Sequence, residues 1–298
     1  MRTRKLTVIS VITVALLWCS LPVLAQAGSS GWPAPKVLQI FREEIKPGKA
    51  AAHEVVEAGW PRAFASAKWP TNYLAVTSVT GPSEAWFFTG YDSFAAWETD
   101  TRNVDKNAGL KKELDQLEAK DGELRSGGRS LVAFYREDLS NQPNADLPKM
   151  RYFRIITFRV KPGHEAKFGE AAKIVKAGYE KAKLTQTWYA YQIYSGMVTP
   201  TFLVFIPLKS LDEVDTAFAQ TKTLQDAEGE DNVKKLQTIS ADSYNAVEAN
   251  IFAFNPKMSY ASKEWAAEDP EFWKPKAPSM KLGAKKPAVK AEKKSENR

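Results

Sequence analysis

The sequence of 298 residues predicts an α+β fold: two tandem ferredoxin-like β-α-β-β-α-β units packed as a pseudo-symmetric barrel. The turn sequence Ile45-Lys46-Pro47-Gly48 returns as Val160-Lys161-Pro162-Gly163, 115 residues later. Each copy closes a strand-like run and opens a helix-like one. The strands are also apolar on both faces, Leu74 and Val76 opposing Tyr73 and Val79, and Trp188 opposing Tyr189 and Tyr191. Helices can cover only one face of such a sheet, so the second unit supplies the cover for the other.

In the first unit, residues 37–45 read as a strand. Pro47 and Gly48 lead into a helix carrying Ala51, Ala52, Val55 and Val56, bent or ended between Gly59 and Pro61. Residues 72–80 alternate as a second strand, and the turn at Gly81-Pro82 passes the chain to a third at 84–88. Asp92 and Ser93 are suited to cap a helix through Phe94 and Trp97. A charged helix follows around Leu110, Leu114 and Leu117, and a closing strand at 130–136 comes after a break at Gly127-Gly128. The second unit repeats the order. Strands fall at 152–160, 187–194, 201–205 and 250–254, with helices at 166–183 and from Ser210-Leu211 onward.

These elements sit inside a larger plan. Arg2, Arg4 and Lys5 precede an apolar run over 6–17, and Ala25-Gln26-Ala27 follows, the pattern of a secretory signal peptide cut after Ala27. The expected divisions are 1–27 signal peptide, 28–140 first unit, 141–149 linker, 150–260 second unit, 261–273 short helical extension and 274–298 basic disordered tail. The one cysteine, Cys19, falls within the leader, which removes disulfides and cysteine metal sites from the mature chain. A periplasmic or secreted location follows, with no transmembrane segment after signal cleavage.

Charge supports the division. The chain carries 42 basic and 35 acidic residues, and three of the basic ones belong to the leader. The tail from Lys274 holds nine basic and two acidic residues, so the region between carries a net charge of −3. A basic isoelectric point confined to the ends excludes nucleic acid as a partner of the folded core. The tail is instead suited to an anionic envelope surface, or simply to keeping the chain soluble.

The element order and its duplication across residues 36–260 resemble the dimeric α/β-barrel superfamily. That superfamily includes antibiotic biosynthesis monooxygenases, NIPSNAP-like and EthD-like proteins and, in fused form, chlorite dismutases. The resemblance implies a small-molecule site and does not itself transfer a reaction. Its haem-degrading members carry an Asn on the first strand and a Trp and His on the second helix. Trp97 could fill the Trp place, but neither first strand has Asn and neither second helix has His. His164 lies at a helix's first turn directly after Lys161-Pro162-Gly163. No haem or other cofactor is expected.

His53 and Glu57 are the candidate catalytic pair: His53 takes the place that Phe168 holds in an inward stripe of the second unit, and Glu57 lies one helical turn away to orient the imidazole. Such a pair can take a proton from an acidic phenol or enol; an ordinary core histidine beside a helix neighbour is the alternative. With no HxH or HExxH spacing, no metal site is expected. Trp60, Tyr73, Trp86, Trp188, Tyr189 and Tyr191 are candidates to grip a flat apolar or aromatic ligand, or simply to fill the space between the sheets. The favoured reading is an exported small-molecule-binding or scaffold protein of the cell envelope, monomer or homodimer, with no identifiable catalytic motif. The alternative is a cofactor-independent monooxygenase or isomerase acting on an aromatic or polyketide-like compound.

Overall fold

The computed structural model of the chain describes residues 33–274. The leader and its cleavage site, and the basic tail beyond Lys274, lie outside the described residues. Strand β1 (Val37–Ile45) is followed by helices α1 (Ala50–Glu57) and α2 (Gly59–Ser66), then strands β2 (Tyr73–Ser78) and β3 (Glu84–Tyr91). Helices α3 (Phe94–Lys106) and α4 (Ala108–Gly122) lead to β4 (Arg125–Tyr135). The series resumes with β5 (Tyr152–Val160), α5 (Glu165–Lys181), β6 (Tyr189–Ser195), β7 (Thr201–Leu208), α6 (Asp212–Glu228), α7 (Glu230–Ser243) and β8 (Tyr244–Phe254). Two short helices, α8 (Lys263–Glu268) and α9 (Pro270–Trp273), bury Trp265 and Trp273 against the body.

The eight strands close into one antiparallel barrel in the order β1-β3-β2-β8-β5-β7-β6-β4. Within each half the fourth strand pairs with the first, the first with the third and the third with the second. The halves meet where β2 pairs β8 and β4 pairs β6. Closure leaves no free sheet edge, which suits strands apolar on both faces.

Alternation along each strand then sorts the side chains. Leu38, Ile40, Val76, Phe88, Leu131, Ile155, Leu203 and Phe252 fill the barrel, each less than a tenth exposed. The opposite faces carry two smaller clusters under the helices, around Ala85 and Phe87 in the first half and around Phe168 and Phe202 in the second. Among the described residues, no helix is long and apolar enough to cross a membrane.

The repeated turn has a physical reason. Gly48 and Gly163 take φ of 74° and 84°, left-handed backbone that glycine adopts without a Cβ penalty. The lysine two residues earlier reaches the end of a helix in both halves. Lys46 Nζ donates to the Glu123 carbonyl at 2.7 Å beyond α4, and Lys161 Nζ to the Asp242 carbonyl at 2.8 Å in α7. A cation there satisfies carbonyls that have no intrahelical partner.

Two element readings change. Gly127 and Gly128 do not break the chain but lie inside β4, opposite Glu44 and Glu43 of β1. A Cβ on Gly128 would stand 3.1 Å from the Arg42 carbonyl oxygen, so the pair lets two strands approach closely. The bend at Gly59 to Pro61 separates two helices, and Pro61 sits in the first turn of α2, where a missing N–H costs nothing.

Candidate functional site

In the first half, the space between sheet and helices holds charge. Glu43 shares the helix-facing side of β1 with Ile45, whereas Leu38 and Ile40 face the barrel. His53 and Glu57, at i and i+4 on α1, point down onto the same place, and Asp121 arrives from the last turn of α4. All four are buried, with exposures of 8% for Glu43, 1% for His53, 4% for Glu57 and 0% for Asp121.

His53 Nε2 lies 2.9 Å from Glu43 Oε2 and 3.3 Å from Asp121 Oδ1. The carboxylate that orients the imidazole is therefore Glu43, not Glu57. Arg125, the first residue of β4, brings Nη1 to 2.9 Å from Glu43 Oε1 and Nε to 2.7 Å from Asp121 Oδ2, and its other nitrogen pairs with Glu118. The Asp121 contacts are close but not aligned as hydrogen bonds, and Glu57 Oε1 has no hydrogen-bond partner.

Three carboxyl groups cannot all ionise in so small a dry space. Burial first, and then the charges of Glu43 and Asp121, push the Glu57 carboxyl up to about 10. Burial also raises Asp121, with Glu43 adding to it and His53 and Arg125 opposing. The Tyr73 hydroxyl is buried without a hydrogen-bond partner, and burial and the Glu57 charge drive its pKa well above the usual phenol value.

In the second half, the corresponding space is a cavity of about 400 Å³ between the sheet and α5 to α7. Phe158, Phe168, Ala172, Trp188 and Tyr244 form part of its apolar wall, and Arg154, Tyr179, Gln186 and Glu213 supply its polar groups. Burial raises Tyr179 and Tyr244, so both hydroxyls stay protonated and can donate. A second cavity, of about 570 Å³, opens at the barrel mouth beside Leu38, Phe88 and Phe205.

The structure divides the sequence-predicted aromatics among these places. Trp188 lines the cavity under the helices, with its indole N–H donating to the Leu139 carbonyl at 2.8 Å. Tyr73, Tyr189 and Tyr191 line the mouth cavity. The Tyr189 and Tyr191 hydroxyls are already engaged, Tyr189 accepting from the Ala145 N–H and Tyr191 donating to the Pro35 carbonyl. Trp86 packs inside the barrel and donates to Glu84 at 2.8 Å, while Trp60 is half-buried on α2. Neither large cavity is lined by Trp60, Trp86, His53 or Glu57.

Sequence reasoning missed Glu43, Asp121 and Arg125. Histidine motifs of short spacing cannot show the grouping, which joins one histidine to acids on three separate elements.

No family model matches the sequence, and no curated protein matches it either. Among solved structures, the chain is similar to an anthrone oxidase-like protein with 14% identity, 76% of this chain and 95% of the other covered, and a TM-score of 0.49. It is similar to a provisionally assigned monooxygenase of Fusobacterium nucleatum with 14% identity, 75% and 94% covered, and a TM-score of 0.48. It is also similar to a chlorite dismutase variant from Candidatus Nitrospira defluvii with 10% identity, 80% and 98% covered, and a TM-score of 0.47.

The expectation of a non-catalytic binding or scaffold protein of the cell envelope is corrected. The similar solved structures carry the names of enzymes rather than of scaffolds. The lack of an identifiable catalytic motif does not mean that polar groups fail to converge: Glu43, His53, Glu57, Asp121 and Arg125 meet in one buried cluster.

Proposed function

We propose that the protein is an enzyme acting on a flat, largely apolar small molecule of the aromatic or polyketide-like class, as an oxygenase or isomerase. The observation that supports this most is the second-half cavity. Its volume of about 400 Å³ suits a fused-ring compound, and its wall is apolar except for a few polar groups. Arg154 has no salt-bridge partner among the described residues and can hold an ionised phenol or enol oxygen. Glu213, the one carboxylate in the wall, takes the proton, and the Tyr179 hydroxyl orients the substrate. In an isomerase the proton returns at another carbon. In an oxygenase the electron-rich anion meets dioxygen, a ring CH2 becomes C=O, and the second oxygen atom leaves as water.

The same reading takes the chain as a tandem pair of ferredoxin-like units in the antibiotic biosynthesis monooxygenase branch, exported and acting as monomer or homodimer. The equal spacing of β1 and β5, 115 residues apart at both ends, supports the duplication. The test is turnover of phenolic and anthrone-type compounds, followed as oxygen uptake or a shifted absorption band. Ala172→Trp, which fills the cavity, should abolish turnover with the fold intact, and Arg154→Ala should raise KM. Unchanged kinetics in both variants would remove the assignment.

A further inference from the structure

We propose that Glu43, His53, Glu57 and Asp121 bind one divalent first-row cation, of the Mn2+, Fe2+ or Zn2+ class, which ties β1 to α1 and α4. This site is separate from the cavity assigned above and does not depend on it.

Geometry permits it. One ligand atom from each residue lies within 4.8 Å of all the others. Bonds of about 2.0–2.2 Å put ligands on opposite sides of such an ion about 4.2 Å apart and adjacent ones closer, so a modest inward shift of the side chains would close the set. His53 Nε2 already faces the centre, between Glu43 and Asp121.

Charge is compatible with it. A divalent ion together with the Arg125 guanidinium balances three carboxylates, so that all three groups can ionise, which without the ion they cannot. The Glu57 carboxylate, 4% exposed, turns into the cluster with Oε1 unpaired. A buried oxygen with no partner, turned toward other acids, is free to serve as a ligand.

The fold itself does not ask for these residues. At the matching positions 115 residues on, Glu43, His53 and Glu57 give way to Phe158, Phe168 and Ala172. Arg125, opposite Ile45 in the register, gives way to Tyr244 opposite Val160. Apolar groups line this place in the second half, and they avoid the desolvation that the first half must offset.

The donor set selects the ion. An imidazole with carboxylates suits manganese, iron or zinc, whereas calcium prefers an all-oxygen shell of six to eight ligands. Burial of all four residues makes the role one of position and stability rather than contact with substrate.

The test uses the full-length, tag-free chain. Metal content by mass spectrometry should be about one equivalent per chain. Stripping with EDTA and returning Mn2+ or Zn2+ should raise the melting temperature by several degrees, saturably. Glu57→Gln and His53→Gln should lose both effects, whereas His164→Gln, at the other histidine, should keep them. Should those variants fail to fold, pulsed electron paramagnetic resonance of the Mn2+-loaded wild type should still show nitrogen coupling from one imidazole. The proposal is overturned if the wild type holds no metal and no ion shifts its melting. Equal binding by both cluster variants, or bound Mn2+ without nitrogen coupling, would overturn it equally.

Discussion

Arg125→Met keeps the length of the side chain and removes its charge from the first-half cluster. The guanidinium stands within 2.9 Å of Glu43 and 2.7 Å of Asp121, with its side chain 20% exposed. Removing one partner of a buried ion pair leaves the others uncompensated in low dielectric and costs about 3–5 kcal/mol. For a chain of this size, about 2–4 °C of melting temperature corresponds to each kcal/mol, so the variant should melt about 6–20 °C below wild type. Urea unfolding followed by circular dichroism measures the free energy directly. The exposed pair of Arg102 and Glu98, at 67% and 61%, is the control, and Arg102→Met should change stability by less than about 0.5 kcal/mol. A loss below about 1 kcal/mol for Arg125→Met would refute the reasoning, since it would mean that the carboxyl groups are already neutral and need no counter-charge.

Other outcomes follow from the packing and the titrating groups. Phe202 is 1% exposed and stacks on Phe168 with ring centres 4.1 Å apart, so Phe202→Ala should cost about 3–5 kcal/mol in the same unfolding assay. Lys46→Met and Lys161→Met each remove a cation from a helix end and should each cost about 0.3–1 kcal/mol, in parallel, because the two turns do the same work. Burial pushes the Tyr189 phenol up to about 12, above its unfolded value of 10.0. Its raised pKa stabilises the fold fully below pH 10, and that contribution fades as pH rises through 12. Tyr189→Phe should therefore lose less stability than wild type across that interval, read from urea midpoints at each pH.

The parts of the fold legible in the sequence are those with local causes. The returning Lys-Pro-Gly turn, the alternation of residues 72–80 and the Ser93 cap, whose hydroxyl accepts the Ala96 N–H, are each written within a few neighbouring residues. The Gly127-Gly128 pair reads as a break in the sequence because glycines that break a chain and glycines that let strands approach look alike until the partner strand is known. His53 was visible as the polar exception to a stripe that holds Phe168, but its partners were not. Glu43 lies ten residues before it and Arg125 far beyond, and only the pairing of β1 with β4 and the return of α4 bring them together. A signal was present: comparing the two halves position by position sets Glu43 against Phe158 and Glu57 against Ala172 as well. The aromatics misled for a related reason, because composition cannot tell a ring that fills the barrel, such as Trp86, from one that lines a cavity, such as Trp188.

One architectural space is put to two uses, a charged cluster proposed to hold a cation in the first half and an apolar cavity in the second. Anomalous diffraction at the manganese edge, from crystals grown with Mn2+, addresses it most directly. A single strong peak among Glu43, His53, Glu57 and Asp121 is the expected result. A flat map there, or manganese sitting instead between Phe168 and Tyr244, would contradict it.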